Sequence, residues 1–148
     1  MTVGTKSLLF GVHQFLLHPI FVCLAWKRLY NKWPSIAELF CILIHDVGYW
    51  GKADMDGMHG TFHPLAGGRI ADAILGKRYG DLVRYHSRTL ASHDNTHVSK
   101  LCAPDKLALL LYPEWLYIFL GRLSGETEYY KYTMGMADCT DSVWLQKT

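Results

Sequence analysis

The chain has 148 residues, 50% of them hydrophobic, 14% aromatic and 19% charged, with a net charge of +2 at pH 7. That is about one domain's length, too apolar for a disordered segment, and, with no run of lysine or arginine, it lacks the charge to bind duplex nucleic acid electrostatically. The eight histidines are an excess that directs attention to metal binding or acid–base chemistry.

Taken in chain order, the hydrophobic periodicity is helical throughout and no β-alternation persists, so the sequence predicts an all-α fold in a single compact domain over residues 1–148. Residues 8–26 carry no charged side chain other than histidine and are long enough to span a bilayer. His13, Gln14, His18 and Pro19 interrupt them, and polar groups at mid-span are costly, so a buried core helix is the preferred reading and no membrane partner is expected. A basic start followed by a small-residue cleavage site is absent, which argues against a signal peptide. Cys23, Cys41, Cys102 and Cys139 form no Cys-x-x-Cys pair and read as reduced thiols of a cytoplasmic protein.

The first helical stretch covers about 5–30, with Pro19 expected to kink or restart it and His18 to cap the restart. Ser35 and Glu38 fit a capping box for a helix over 36–46, which is apolar almost all round and so expected to be central and buried, with Gly48 as its stop. A polar loop follows over 51–60. Pro64 suits the start of a helix to Leu75, with Gly76 after it, and a shorter helix follows over 79–87. Residues 89–100 read as a loop. Pro104 opens a helix to Tyr112; further helices cover 114–123 and 126–136, and the tail ends near Trp144.

His45-Asp46 places two strong ligands side by side at the end of an apolar helix, where an aspartate is rarely buried unless paired or bound to a cation. The helix C-terminus also favours positive charge there. An exposed helix end would account for the dipeptide alone. It is preceded, however, by His18-x-x-x-Val22-x-x-Ala25 and followed by Pro104-Asp105-Lys106-Leu107-Ala108, and it reads on as His45-Asp46-Val47-Gly48. In these elements the chain resembles the HD superfamily of metal-dependent phosphohydrolases, with the likeness running over about 8–112. His63-Pro-Leu-Ala-Gly-Gly-Arg-Ile70 and Leu82-Val-Arg-Tyr-His86 are similar to the two further histidine elements of that superfamily's binuclear branch.

The resemblance implies that His18, His45, Asp46 and Asp105 bind one ion and that Asp46, His63 and His86 contribute to a second, with Asp46 bridging. It implies one or two divalent metal ions as cofactor, iron or manganese first, with cobalt, zinc, nickel or magnesium as further candidates; imidazole and carboxylate ligands suit such metals. The expected activity is hydrolysis of a phosphoester or phosphoanhydride in a nucleotide, such as a deoxynucleotide or a dinucleoside polyphosphate. A phosphodiesterase acting on a cyclic or signalling nucleotide is the alternative within enzymes, and a non-catalytic metal- and nucleotide-binding module is the alternative from another class. Tyr49 stands where some HD-GYP phosphodiesterases carry lysine and several HD nucleotidases carry glutamate, and Ser87 stands where a second histidine would follow His86.

A phosphate needs cationic partners. Lys52, Arg88 and Lys106 are the candidates, each with a solvated surface role as its competitor, while Arg84 falls on the face opposite His86. Gln14, one turn before His18, is placed to orient it. His13 falls about 140° round a continuous helix from His18 and is expected to pack elsewhere; His59, His93 and His97 read as loop residues. Asp54 and Asp56 read as turn formers, with proton donation to a leaving group as the competing role. Tyr129, Tyr130, Tyr132, Met134, Met136 and Trp144 lie beyond the resemblance and fit either packing, including a homodimer contact, or a wall on which a base stacks.

Overall fold

The computed structural model describes residues 1–145, and every regular element among them is helical. Helix α1 (Val3–Phe10) ends at Gly11, whose amide donates back to the carbonyls of Lys6 and Ser7. The chain then turns, and α2 (Leu17–Tyr30) begins with Pro19 inside its first turn. The expected break at Pro19 therefore falls earlier, at Gly11, and His18 is a residue of the first turn rather than a cap. The reason is that amides of a helix's first turn have no intrahelical acceptor, so proline costs nothing there.

The capping box before α3 (Ile36–Ile44) forms as the sequence requires: Ser35 Oγ accepts the Glu38 amide at 3.3 Å and Glu38 Oε2 accepts the Ser35 amide at 2.8 Å. The expectation that this helix is central and buried needs correction. Only Cys41 and Ile42 are fully buried on it, while Ile36 is 89% exposed and Leu39 and Leu43 are also open. Packing on α2, α4 and α5 covers one face only, and an apolar composition does not by itself bring a second layer.

Beyond the short 3-10 turns Val47–Tyr49 and Gly60–Phe62 come α4 (Pro64–Leu75), α5 (Lys77–Arg84), α6 (Arg88–His93), α7 (Cys102–Leu111), α8 (Glu114–Ser124), α9 (Glu126–Thr133) and α10 (Asp141–Leu145). Helix α6 is an addition to the expected loop over 89–100. Ser87 Oγ caps it by accepting the Leu90 amide at 3.3 Å, and Leu90 and Ala91 are buried beneath it. Helix α7 starts two residues ahead of Pro104, again with the proline in the first turn.

The central core joins Val22, Ala25 and Trp26 of α2, Ile42 of α3, and Leu101 and Ala108 at α7. This packing sets the start of α2, the end of α3 and the start of α7 at one end of the core. Among the described residues no helix is long and apolar enough to cross a membrane. Because α3 is buried along one stripe, Ile42→Ala should cost about 2–4 kcal/mol in urea unfolding, whereas Ile36→Ser should change stability by less than about 0.5 kcal/mol. Equal losses at the two positions would contradict the one-sided packing.

Candidate metal centre

The three converging helix ends place four buried ligand-type side chains together: His18 from α2, His45 and Asp46 just past α3, and Asp105 from the first turn of α7. His18 Nε2 lies 3.0 Å from Asp105 Oδ1 and 3.6 Å from Asp46 Oδ2. His45 Nε2 lies 3.1 Å from Asp46 Oδ2 and 3.3 Å from Asp105 Oδ1. On the other side of the same carboxylate, Asp46 Oδ1 is 3.3 Å from His63 Nε2 and 3.6 Å from His86 Nε2. Two sets of ligand atoms result, each within 4.8 Å of one another: His18, His45, Asp46 and Asp105, and Asp46, His63 and His86. Asp46 belongs to both.

The hydrogen bonds on the far side of three rings fix what these atoms are. His45 Nδ1 donates to the Ile42 carbonyl at 2.7 Å, His63 Nδ1 to the Gly60 carbonyl at 2.7 Å and His86 Nδ1 to the Val83 carbonyl at 2.6 Å. A carbonyl oxygen only accepts, so each Nδ1 carries hydrogen and each neutral ring presents a lone pair at Nε2. The Nε2 atoms of His63 and His86 are then two lone pairs 3.2 Å apart, and His45 Nε2 faces two carboxylates in the same way. Asp46 Oδ2 and His18 Nδ1 have no hydrogen-bond partner among the described residues. Buried acceptors facing acceptors repel unless a proton or a cation lies between them. The ring geometry, with Nδ1 tied to backbone and Nε2 free, is that of histidine metal ligands, and the donor set fits a divalent metal.

The electrostatics show the same demand. Burial opposes the charge on Asp46, but the charge on His45 first, with the His63 and His86 imidazoles close against it, holds its carboxyl well below the usual range. Burial likewise opposes Asp105, which Lys106 and then His18 and His45 hold low. Burial would lower His45, yet Asp46 and Asp105 push it up to about 10. Without metal, a proton on His45 supplies positive charge to the cluster, while burial lowers His18 and His63.

A cavity of about 180 Å³ opens over the cluster, with Asp46, His63, His86 and Asp105 in its wall. Arg88 and Lys106 line it, and Lys106 Nζ lies 3.3 Å from Asp105 Oδ2. Lys52 does not reach it; its backbone instead ties α1 to the 3-10 turn, its carbonyl accepting the Gly4 amide at 3.1 Å. Arg84 is held by Asp72 and Asp81. The side chain of Gln14 makes no hydrogen bond to His18; its carbonyl accepts the His18 amide at 3.1 Å instead, because residues 11–16 are a turn rather than helix. Asp54 is a turn former, accepting the His59 and Gly60 amides, while Asp56 lines the cavity.

Two wall residues escaped the sequence reading. Tyr49 stacks on His63 with ring centroids 3.9 Å apart, brought there by the Val47–Tyr49 turn. Gly48 makes this possible, since a Cβ there would lie 1.8 Å from the His63 carbonyl oxygen. His13 also lines the cavity, 5.3 Å from the His18 ring. The angular argument that sent it elsewhere assumed one continuous helix, and Gly11 was the signal against that. His13 Nδ1 lies 3.2 Å from Glu126 Oε2, and Glu126 Oε1 accepts the Val12 amide at 3.2 Å and Ser124 Oγ at 3.1 Å. Of the two readings of the C-terminal aromatic segment, packing holds for Tyr129, Tyr130 and Trp144. Tyr129 and Tyr130 lie against Leu8, Tyr49 and Met55, and buried Trp144 donates Nε1–H to Met134 Sδ.

Burial alone would lower the His13 pKa, but the Glu126 carboxylate raises it to about 9. A folded-state pKa above the unfolded one gives stability that is complete below the unfolded value, about 6.5, and is lost as pH rises through about 9. In metal-free protein, the melting-temperature advantage of wild type over His13→Gln should therefore shrink between pH 6.5 and 9.5. An advantage independent of pH over that range would contradict a charged His13–Glu126 pair.

Comparison with family models, with curated proteins and with solved structures found no match to this chain.

Proposed function

We propose that the protein is an HD-type metal-dependent phosphohydrolase that cleaves a phosphoester or phosphoanhydride bond in a nucleotide. The observation that carries this reading is the buried ring of facing acceptors around Asp46, in which His63 and His86 present their Nε2 lone pairs to each other at 3.2 Å. Such an arrangement is costly as an empty protein interior and favourable as a cation cage. Divalent ions held by His18, His45, Asp46 and Asp105 and by Asp46, His63 and His86 would supply Lewis acidity and a lowered water pKa for attack on phosphorus.

The chain's own residues do the rest. The backbone carbonyls of Ile42, Gly60 and Val83 orient three of the imidazoles, and Tyr49 packs the His63 ring in place. Arg88, the first residue of α6, and Lys106, in the first half of α7, face the same cavity and would hold phosphate oxygens by charge-assisted hydrogen bonds. His13, braced by Glu126, adds a further polar wall beside His18. A phenol stacked on His63 fills position 49, where cyclic-dinucleotide enzymes carry lysine and several nucleotidases carry glutamate, so the cavity carries neither signature.

Release of phosphate or pyrophosphate from a panel of nucleotides, with manganese or iron supplied, tests the proposal. Asp46→Asn should lower turnover by roughly 10³-fold, as loss of one transition-state stabilising group can, and Arg88→Ala should raise KM about 10- to 100-fold, the worth of one charge-assisted bond. Tight nucleotide binding with no product from any member of the panel would favour a binding module over an enzyme.

A further inference from the structure

The cavity over the cluster, at about 180 Å³, is below the ~300–1,000 Å³ of sites that enclose a whole organic ligand. Its wall is acidic, basic and imidazole groups with Tyr49, Ser87 and Thr89. It matches a phosphate with its metals and leaves no room for what the phosphate is attached to. Lys106 also borders a second, larger opening of about 370 Å³, lined by Leu109, Leu110, Tyr112, Glu114, Tyr117 and Leu145. The two openings thus meet at one lysine, whose ammonium lies 3.3 Å from Asp105 in the cluster.

We propose that this groove is the subsite for the base of a nucleoside phosphate, with Lys106 at the junction between base and phosphate. This rests on the phosphohydrolase reading of the adjoining centre and adds the part of the substrate that reading leaves open. Tyr112 is the fixed floor of the groove: it is buried, and its hydroxyl donates to the Val12 carbonyl at 2.9 Å. Phe21 stacks on that ring at 4.1 Å and Tyr117 meets it edge-on at 6.2 Å. Rigid aromatic and leucine walls accept a flat ring at low entropic cost. Its leucine and tyrosine side chains suit the faces of a heteroaromatic ring, and the Glu114 carboxylate among them suits that ring's N–H groups.

Leu110 gives a clean test because it is 78% exposed and its substitution leaves the core untouched. Calorimetry on manganese-loaded protein would compare hydrolysis-resistant 5′-methylenephosphonate analogues of deoxyadenosine and thymidine monophosphates with methylphosphonate, which has no base. Wild type should bind at least one nucleoside analogue about tenfold or more tightly than methylphosphonate, a difference of about 1.4 kcal/mol. Leu110→Glu should abolish that preference and leave methylphosphonate binding unchanged. A wild type that shows no preference, or a variant that keeps it, overturns the subsite. If methylphosphonate and both analogues fail to bind wild type, the metal-centred reading has failed and the subsite with it. A preference lost in Leu110→Glu, in a protein that hydrolyses no nucleotide, would uphold the groove while removing the enzyme.

Discussion

Asp46 lies 3.1 to 3.6 Å from the Nε2 atoms of four histidines. Three of those rings are prevented from turning away because their Nδ1–H groups are committed to backbone carbonyls, each three residues earlier in the chain. That constraint organises the molecule. The Ile42 and Val83 carbonyls lie in the last turns of α3 and α5 and that of Gly60 opens the 3-10 turn Gly60–Phe62, so ring orientation follows from where these helices and turns stop. The core of α2, α3 and α7 brings the stops together. The buried acceptors then require positive charge, which Lys106 supplies to Asp105 and which a protonated His45 or a bound cation supplies around Asp46.

The cluster of ligand-type side chains was legible in the sequence, and the remainder of the site was legible in proportion to how local its cause is. His45-Asp46 and Asp105 are marked by type and by position at helix ends, and the cap at Ser35 and the proline at the start of α4 are local chemistry that tertiary packing does not override. His13 was misplaced because one glycine, Gly11, ends a helix that hydrophobicity alone would carry through to Tyr30. Lys52 and Gln14 were nominated by proximity in sequence, which fails once a 3-10 turn or a loop reverses direction between neighbours. Tyr49 was read only as a departure from a motif. Its stacking on His63 depends on Gly48 lying against a backbone carbonyl 15 residues away in sequence, and no local pattern records such an approach.

The site divides by polarity. Charged and imidazole groups surround the small cavity, while leucine and tyrosine side chains of α7 and the segment after it wall the larger groove beside it. Glu126 links the two regions, since it braces His13 at the cavity and holds the Val12 amide, whose residue's carbonyl in turn receives the Tyr112 hydroxyl. The C-terminal helices therefore matter to the centre without contributing a ligand to it. Their aromatic residues support Tyr49 from behind, through Tyr129 and Tyr130, more than they present a surface of their own.

Anomalous scattering from crystals grown with manganese tests the central claim most directly. The account predicts density between His18, His45, Asp46 and Asp105, and between Asp46, His63 and His86, at metal–ligand distances of about 2.0–2.3 Å to the Nε2 and carboxylate atoms. A cluster that stays free of anomalous signal at saturating manganese, with the histidine rings in the same orientation, would contradict it and leave protons as the charge that holds Asp46 in place.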